Sequence, residues 1–289
     1  MIGVLAAAAL AAATPLTAAP APPAIAPPTA MKADPAMFVV RDADTTIYLF
    51  GTFHALDGNS QWFNEQVRDA FESSNELVLE TLVPERNARP IPLASPPQPL
   101  RAVAPSASFL ASTRMAINAG KSQGMQVGNG ADMVLRRAAE DEGKPVEGLE
   151  TLESQLNMFV KMKPVAAPAQ ASARTSAPMA DLSKSMAEMQ AAWKRGDQTV
   201  FVRMLGELEG ASPDTYRVMF TDRNARWADW IRARMQTPGT VFVAVGAGHL
   251  AGKDSVLVQL AERGIYSIRV NRSTETCVSG APALGRRIP

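Results

Sequence analysis

Two stretches of the chain repeat one arrangement of apolar and polar positions. Between Thr45 and Glu80 an apolar run, Ile47 to Phe50, stops at Gly51, and His54 follows three residues later. A segment with helical apolar spacing starts behind Asn64, and a second apolar run, Leu77 to Leu79, ends at Glu80. The layout recurs between Val241 and Val270: the run Val241 to Val245, then Gly246, His249, a helical segment behind Asp254, and a closing run from Ile265 to Val270. Short apolar runs bounded by glycine read as strands, and the 3.6-residue spacing between them reads as helix, so each stretch predicts a βαβ crossover. Strands of such a unit run parallel, and ligands collect beyond their carboxyl ends, where a residue that follows a strand must lie. His54, His249 and Glu80 are all predicted there. Glycine at 51 and 246 suits a chain that leaves a strand abruptly, through positive φ or through close backbone approach.

The remaining pattern supplies the frame. Phe38 to Val40 and Thr46 to Phe50 flank the polar turn Arg41-Asp42-Ala43-Asp44, which predicts a β-hairpin and hence a mixed sheet. Helical spacing covers Ser108 to Ala119, Ala131 to Glu142 with Gly143 as C-terminal glycine, Thr151 to Met162, Met179 to Lys194 and Gln198 to Glu209. A short strand, Pro145 to Glu150, places Glu150 at another strand end. Asp214 to Met235 reads as one long amphipathic helix with Val218, Met219, Trp227, Trp230 and Ile231 on its apolar side, and it carries Arg223 and Asn224. Pro84 to Pro105 reads as a Pro-rich surface excursion, and 164–178 as a mobile low-complexity loop. The expected fold class is α/β: two related βαβ-containing halves, about 37–163 and 179–272, with a mixed central sheet, flanking helices and an active-site crevice at the strand C-terminal ends.

Composition narrows the function classes. The 289 residues are 46% hydrophobic, enough for a sizeable core, and 29 basic against 28 acidic residues leave a formal charge of +1. Such a balance gives no electrostatic reason to expect nucleic acid or an anionic membrane as partner. Cys277 is the single cysteine, which excludes an internal disulfide and a Cys-rich zinc site. Met1 to Ala13 is apolar but too short to span a bilayer, and small residues follow it, so 1–19 is expected to be a signal peptide and the protein periplasmic or secreted. The Ala/Pro-rich 20–36 reads as an extended tether, and no transmembrane helix is expected in the mature protein. The sequence leaves the oligomeric state open.

Both histidines of the chain lie in the repeated motif. Imidazole is the commonest metal ligand and the usual general base near neutral pH. His54, His249 and Glu80 meeting at a sheet edge can bind a divalent cation such as zinc, manganese or cobalt and leave positions for water and a peptide or small-molecule substrate. Such an ion would supply hydroxide near neutral pH, with Glu150 available to move protons and Arg223 to hold an oxyanion or an anionic group. Structural roles compete: a strand-end carboxylate can cap a helix or pair with arginine, Arg223 can be an ion pair, and either histidine can be a satisfied structural group. The tryptophans of the long helix and the fourteen dispersed methionines read as packing. Gly246-Ala247-Gly248 is followed by Ala251 where a dinucleotide fingerprint needs its third glycine.

Five motifs in order, Leu49-Phe50-Gly51-Thr52-Phe53-His54, Leu77-Val78-Leu79-Glu80, Gly148-Leu149-Glu150-Thr151 with Gln155-Leu156, Arg223-Asn224 with Trp227, and Val245-Gly246-Ala247-Gly248-His249-Leu250, carry a resemblance. The chain from about Met37 onward resembles the TraB/GumN family, within the wider group of Tiki proteases and erythromycin-esterase and ChaN-like folds. That resemblance implies an α/β fold of two related halves with a site between them. From the Tiki branch it implies metal-dependent proteolysis through His54, His249 and Glu80. The Pro-rich Thr81 to Arg101 segment and the 164–178 insertion depart from the family pattern, so lid and substrate contacts do not carry over. The expected activity is metal-dependent hydrolysis of a peptide or related bond. The alternatives are a non-catalytic binder of metal, haem or peptide, and metal-free hydrolysis with His54 as general base assisted by Glu80.

Overall fold

The computed structural model describes residues 33–82, 107–161 and 177–270. The expected signal peptide, most of the tether, the Pro84 to Pro105 excursion, the 164–178 loop up to its last two residues, and the tail with Cys277 lie outside them. Strands β1 (Met37–Arg41) and β2 (Thr45–Thr52) form the predicted hairpin, with Met37 opposite Phe50. Its turn is fixed by the Asp42 carboxylate, which accepts from the amides of Asp44 at 3.2 Å and Thr45 at 2.8 Å. Helix α1 (Glu65–Glu72) begins behind Asn64, whose side chain accepts from the Val67 amide at 3.2 Å as predicted. Then come β3 (Glu76–Thr81), α2 (Ala107–Ser122), α3 (Ala131–Asp141), β4 (Val146–Glu150), α4 (Leu152–Lys161), α5 (Ala177–Lys194) and α6 (Thr199–Ala211). A short α7 (Pro213–Tyr216) runs through a π-helical segment (Arg217–Thr221) into α8 (Asp222–Arg234). The described residues close with β5 (Gly239–Gly246), a 3-10 turn (Ala247–Leu250), α9 (Val256–Glu262) and β6 (Ile268–Arg269).

The six strands form one mixed sheet in the order β4-β3-β5-β2-β1-β6, which gives the α/β fold expected. β5 is parallel to both its neighbours, Ile47 facing Val241 and Leu77 facing Phe242, while β1 is antiparallel to β2 and to β6. The two Gly-x-x-His units therefore share a sheet, with the first strand of the second unit inserted between the two strands of the first. Alternation along the strands buries both faces. Phe50, Leu77, Leu79, Phe242 and Ala244 pack with Val67, Phe71, Leu135 and Trp193; Ile47, Leu49, Val78, Val241, Val243 and Val245 pack with Trp227, Ile231, Val256 and Leu260. Because β2, β3 and β5 run parallel, their carboxyl ends converge on one edge of the sheet. Among the described residues no helix is long and apolar enough to cross a membrane.

Three sequence expectations need correction. The last helix is capped by Ser255, not Asp254: its hydroxyl accepts from the Val258 amide at 3.3 Å. Ser255→Ala is accordingly expected to lower unfolding free energy by ~1 kcal/mol in urea titration; no measurable change would remove the cap from the account. The closing run Ile265 to Val270 contributes only Ile268–Arg269 to the sheet, because β1 gives it just two pairing partners. The helix predicted over Asp214 to Met235 contains the π segment, whose wider turn shifts the side-chain register. Trp227 and Ile231 are core as expected, whereas Met219 and Phe220 are turned onto a cleft.

Candidate functional site

The site is assembled by three strand ends and one helix start. β2 delivers Thr52 and, two residues on, His54; β3 delivers Glu80; β5 ends at Gly246, from which the 3-10 turn presents His249; the first turn of α8 supplies Arg223 and Asn224. Neither Gly51 nor Gly246 adopts positive φ, so close approach is what requires them. A Cβ on Gly51 would stand 3.2 Å from the Ala247 Cα. One on Gly246 would stand 3.1 Å from Glu80 Oε1, 3.5 Å from His54 Nε2 and 3.7 Å from His249 Cδ2. The two histidines and the glutamate singled out by sequence thus converge on a position that only hydrogen occupies.

Arg223 ties this cluster together. Its Nη2 donates to Glu80 Oε2 at 2.9 Å, its Nε donates to both Glu150 oxygens at 3.1 and 3.0 Å, and its Nη1 lies 3.2 Å from His249 Nε2. The guanidinium is buried and lies over the Trp227 ring, 4.6 Å from its centroid. Glu150 is held a second time by Arg226, at 3.1 Å. All five residues expected at the site are therefore brought together, but Glu150 stands behind Arg223 rather than on the cleft.

His249 has one tautomer that satisfies its partners. Asn224 Nδ2 donates to the Asp254 carbonyl at 2.7 Å, which leaves Asn224 Oδ1 to accept from His249 Nδ1–H at 2.6 Å. Nε2 is then the acceptor for Arg223. The ring lies between Phe220 and Trp227, with centroids 4.8 and 4.4 Å away. Burial, reinforced by the Arg223 charge, pushes its pKa down to about 3 against the pull of Glu80, so the ring is neutral near pH 7.

Glu80 and His54 divide in the opposite sense. Burial favours protonated Glu80, yet its pKa is held down to about 2 by surrounding positive charge and by the Gly246 amide, which donates to Oε1 at 2.6 Å. A neutral His249 contributes no charge at neutral pH, so Arg223 and His54 are the cations that act there. For His54, burial pulls the pKa down, but the Asp132 carboxylate, 3.4 Å from Nδ1, and Glu80 raise it to about 9. The His54 side chain is 61% exposed, so solvent screens every one of these influences and it is the upward direction that the geometry supports.

Above the charged floor opens a cleft of about 650 Å³ whose walls are largely apolar: Phe159 from α4, Met186 from α5, Met204, Leu205 and Leu208 from α6, and Met219 and Phe220 from the π segment. The sequence reading assigned the methionines to packing; three of them face this cleft, where unbranched thioethers adapt to varied apolar groups. Asp132 was missed as well. It is one of many acids on amphipathic helices, and only the fold places it beside His54.

The residues fit a three-ligand metal centre poorly as arranged. His249 offers no lone pair, since Nδ1 carries the proton given to Asn224 and Nε2 accepts from Arg223. A cationic guanidinium within 3.2 Å of the expected ligand atom also opposes a second cation there. Among the described residues no three His, Cys, Asp or Glu side chains are grouped to hold an ion.

No curated protein and no solved structure shows significant similarity to the chain. The model of the TraB/PrgY/gumN family matches residues 36–95 and 91–268, which takes in both Gly-x-x-His units, Glu80, Glu150 and Arg223. Matched over most of its length and in the order of its site residues, the chain belongs to the TraB/PrgY/gumN family.

Proposed function

We propose that this chain is a hydrolase of peptide or related acyl bonds, whose substrate lays an apolar group along the cleft and presents the bond at its charged floor. The observation that carries this reading is the pairing, beside Gly246, of an ionised Glu80 with a His54 whose surroundings favour the protonated ring. Two titratable groups pushed apart in this way divide the roles of acid and base. Glu80 takes a proton from the water as the water oxygen bonds to the carbonyl carbon, and the bond to the leaving group breaks as His54 gives that group its proton; a proton passing back from Glu80 to His54 restores both. Arg223 and the Gly246 amide keep Glu80 ionised and fixed, and the apolar walls limit competing water.

The test is a screen of apolar-flanked peptides and esters with wild type, His54→Ala and Glu80→Gln, each checked for folding by circular dichroism. Hydrolysis that both variants lose is the expected result. A substrate turned over equally by wild type and both variants would place the chemistry elsewhere.

The convergence of His54, Glu80 and His249 about Gly246 favours a second reading, in which a zinc, manganese or cobalt ion takes part. It requires Arg223 to leave His249 Nε2. Metal content by mass spectrometry, on wild type and on the His54→Ala plus His249→Ala variant, separates the two: near-stoichiometric metal lost in the folded variant supports the ion, and none after adding these metals removes it.

A further inference from the structure

We infer that Asp132 is the positioning residue of His54, holding the imidazole by Nδ1 so that Nε2 faces Glu80 and the cleft. Three observations carry this. Asp132 Oδ1 lies 3.4 Å from His54 Nδ1, and this buried oxygen accepts no hydrogen bond within the described residues. A buried carboxylate oxygen without a donor is costly unless a neighbouring N–H or cation answers it, and the His54 ring is the group placed to do so. The backbone enforces the pairing on both sides of His54: the Ala131 amide donates to the Phe53 carbonyl at 3.0 Å, and Leu56 and Gln126 exchange amide-to-carbonyl bonds at 3.2 and 2.9 Å. Gly130 permits this contact, because a Cβ there would overlap the His54 carbonyl group. The loop carrying the histidine is thus clamped to the start of α3, and the opposite ring nitrogen, Nε2, is left 3.5 Å from the Gly246 Cβ position beside Glu80.

The chemical consequence is a fixed tautomer. A carboxylate beside Nδ1 keeps the proton on that nitrogen when the ring is neutral, so Nε2 is the atom that exchanges a proton with whatever the cleft holds. Asp132 does not line the cleft and acts only through His54. The inference rests on the hydrolase reading for its role in turnover, but the orientation of the ring can be measured without any substrate.

With only two histidines, the imidazole nitrogens resolve as a small set in 15N-labelled protein, and His54→Ala assigns them. On chelator-treated full-length protein, followed to a pH above the His54 titration, wild-type His54 is expected in the Nδ1–H form. In Asp132→Ala the neutral ring should move to the Nε2–H form that imidazole prefers in water, while Asp132→Asn, whose carboxamide oxygen still accepts, keeps Nδ1–H. A wild-type ring in the Nε2–H form overturns the proposal whatever the variants do, and so does an unchanged tautomer in folded Asp132→Ala. On the best substrate from the screen, Asp132→Ala should lower kcat about 10- to 100-fold with KM little changed and Asp132→Asn should recover part of it; equal kcat in all three would overturn it too. Absence of turnover in wild type bears on the hydrolase reading alone and leaves the tautomer measurement to decide this one.

Discussion

Arg223→Met is expected to lower unfolding free energy by about 3–5 kcal/mol at neutral pH, because it leaves two buried carboxylates without their shared cation. Side-chain exposure is only 13% for Glu80 and 5% for Glu150, so water replaces the guanidinium incompletely, and Glu150 keeps only its bond from the exposed Arg226. Lysine will restore little: Arg223 engages Glu80, Glu150 and His249 through three different nitrogens, and one ammonium cannot reproduce that fork. The pH dependence gives the sign. Wild-type Glu80 falls from its ordinary 4.5 to about 2, so its contribution is present above 4.5 and lost as pH falls toward 2. In the variant, burial acts with less opposition and favours the acid form, so the deficit relative to wild type should shrink as pH falls from 7 to 5. Urea titrations at both pH values check this. A variant within about 1 kcal/mol of wild type at pH 7 would mean that solvent reaches these carboxylates.

Acidification should also destabilise the protein through His249, at higher pH than through Glu80. An ordinary histidine binds its proton near 6.5, whereas folded His249 does so near 3. Between those values the unfolded chain holds more protons than the folded one, so stability rises with pH across that window and is lost as pH falls through it. The full difference is on the order of 5 kcal/mol for this one group. His54 has the opposite sign: its raised pKa contributes stability below 6.5 that disappears as pH climbs through about 9, and its exposure makes that contribution small. Unfolding free energy measured from pH 4 to 7 should therefore climb steeply, and His249→Asn should flatten the slope. A folded-state titration of His249 near 6.5 by NMR would show that the ring is not held as neutral imidazole between Asn224 and Arg223.

The sequence disclosed what depends on local pattern. The apolar runs Ile47 to Phe50 and Val241 to Val245, each stopping at glycine, predicted strands, and strands form there with both faces packed. The Gly-x-x-His spacing marked the strand ends that converge, since a turn out of a strand is a local event. What depends on long-range pairing was hidden: no residue of β5 announces that it inserts between β2 and β3, and nothing near Asp132 announces His54. The π segment was invisible for another reason. Val218, Met219, Trp227 and Ile231 fit one helical stripe, but widening a single turn removes the first two from it and gives Met219 and Phe220 to the cleft. Arg223 was legible as a polar residue of an amphipathic helix, while its partners Glu80 and Glu150 could be named only as separate strand ends.

The place of β5 in the sheet also governs how the chain can fold. β2 and β3 are not sheet neighbours; both pair with a strand that is made long after them, Ile47 pairing with Val241 and Leu77 with Phe242. Until Gly239–Gly246 has emerged, the nascent N-terminal part exposes two apolar strands with unpaired edges, a state prone to wrong association. Pairings so distant in sequence raise the contact order, which slows folding. Truncation before β5 removes the shared middle strand along with one histidine, so the candidate site is lost as a whole rather than by halves.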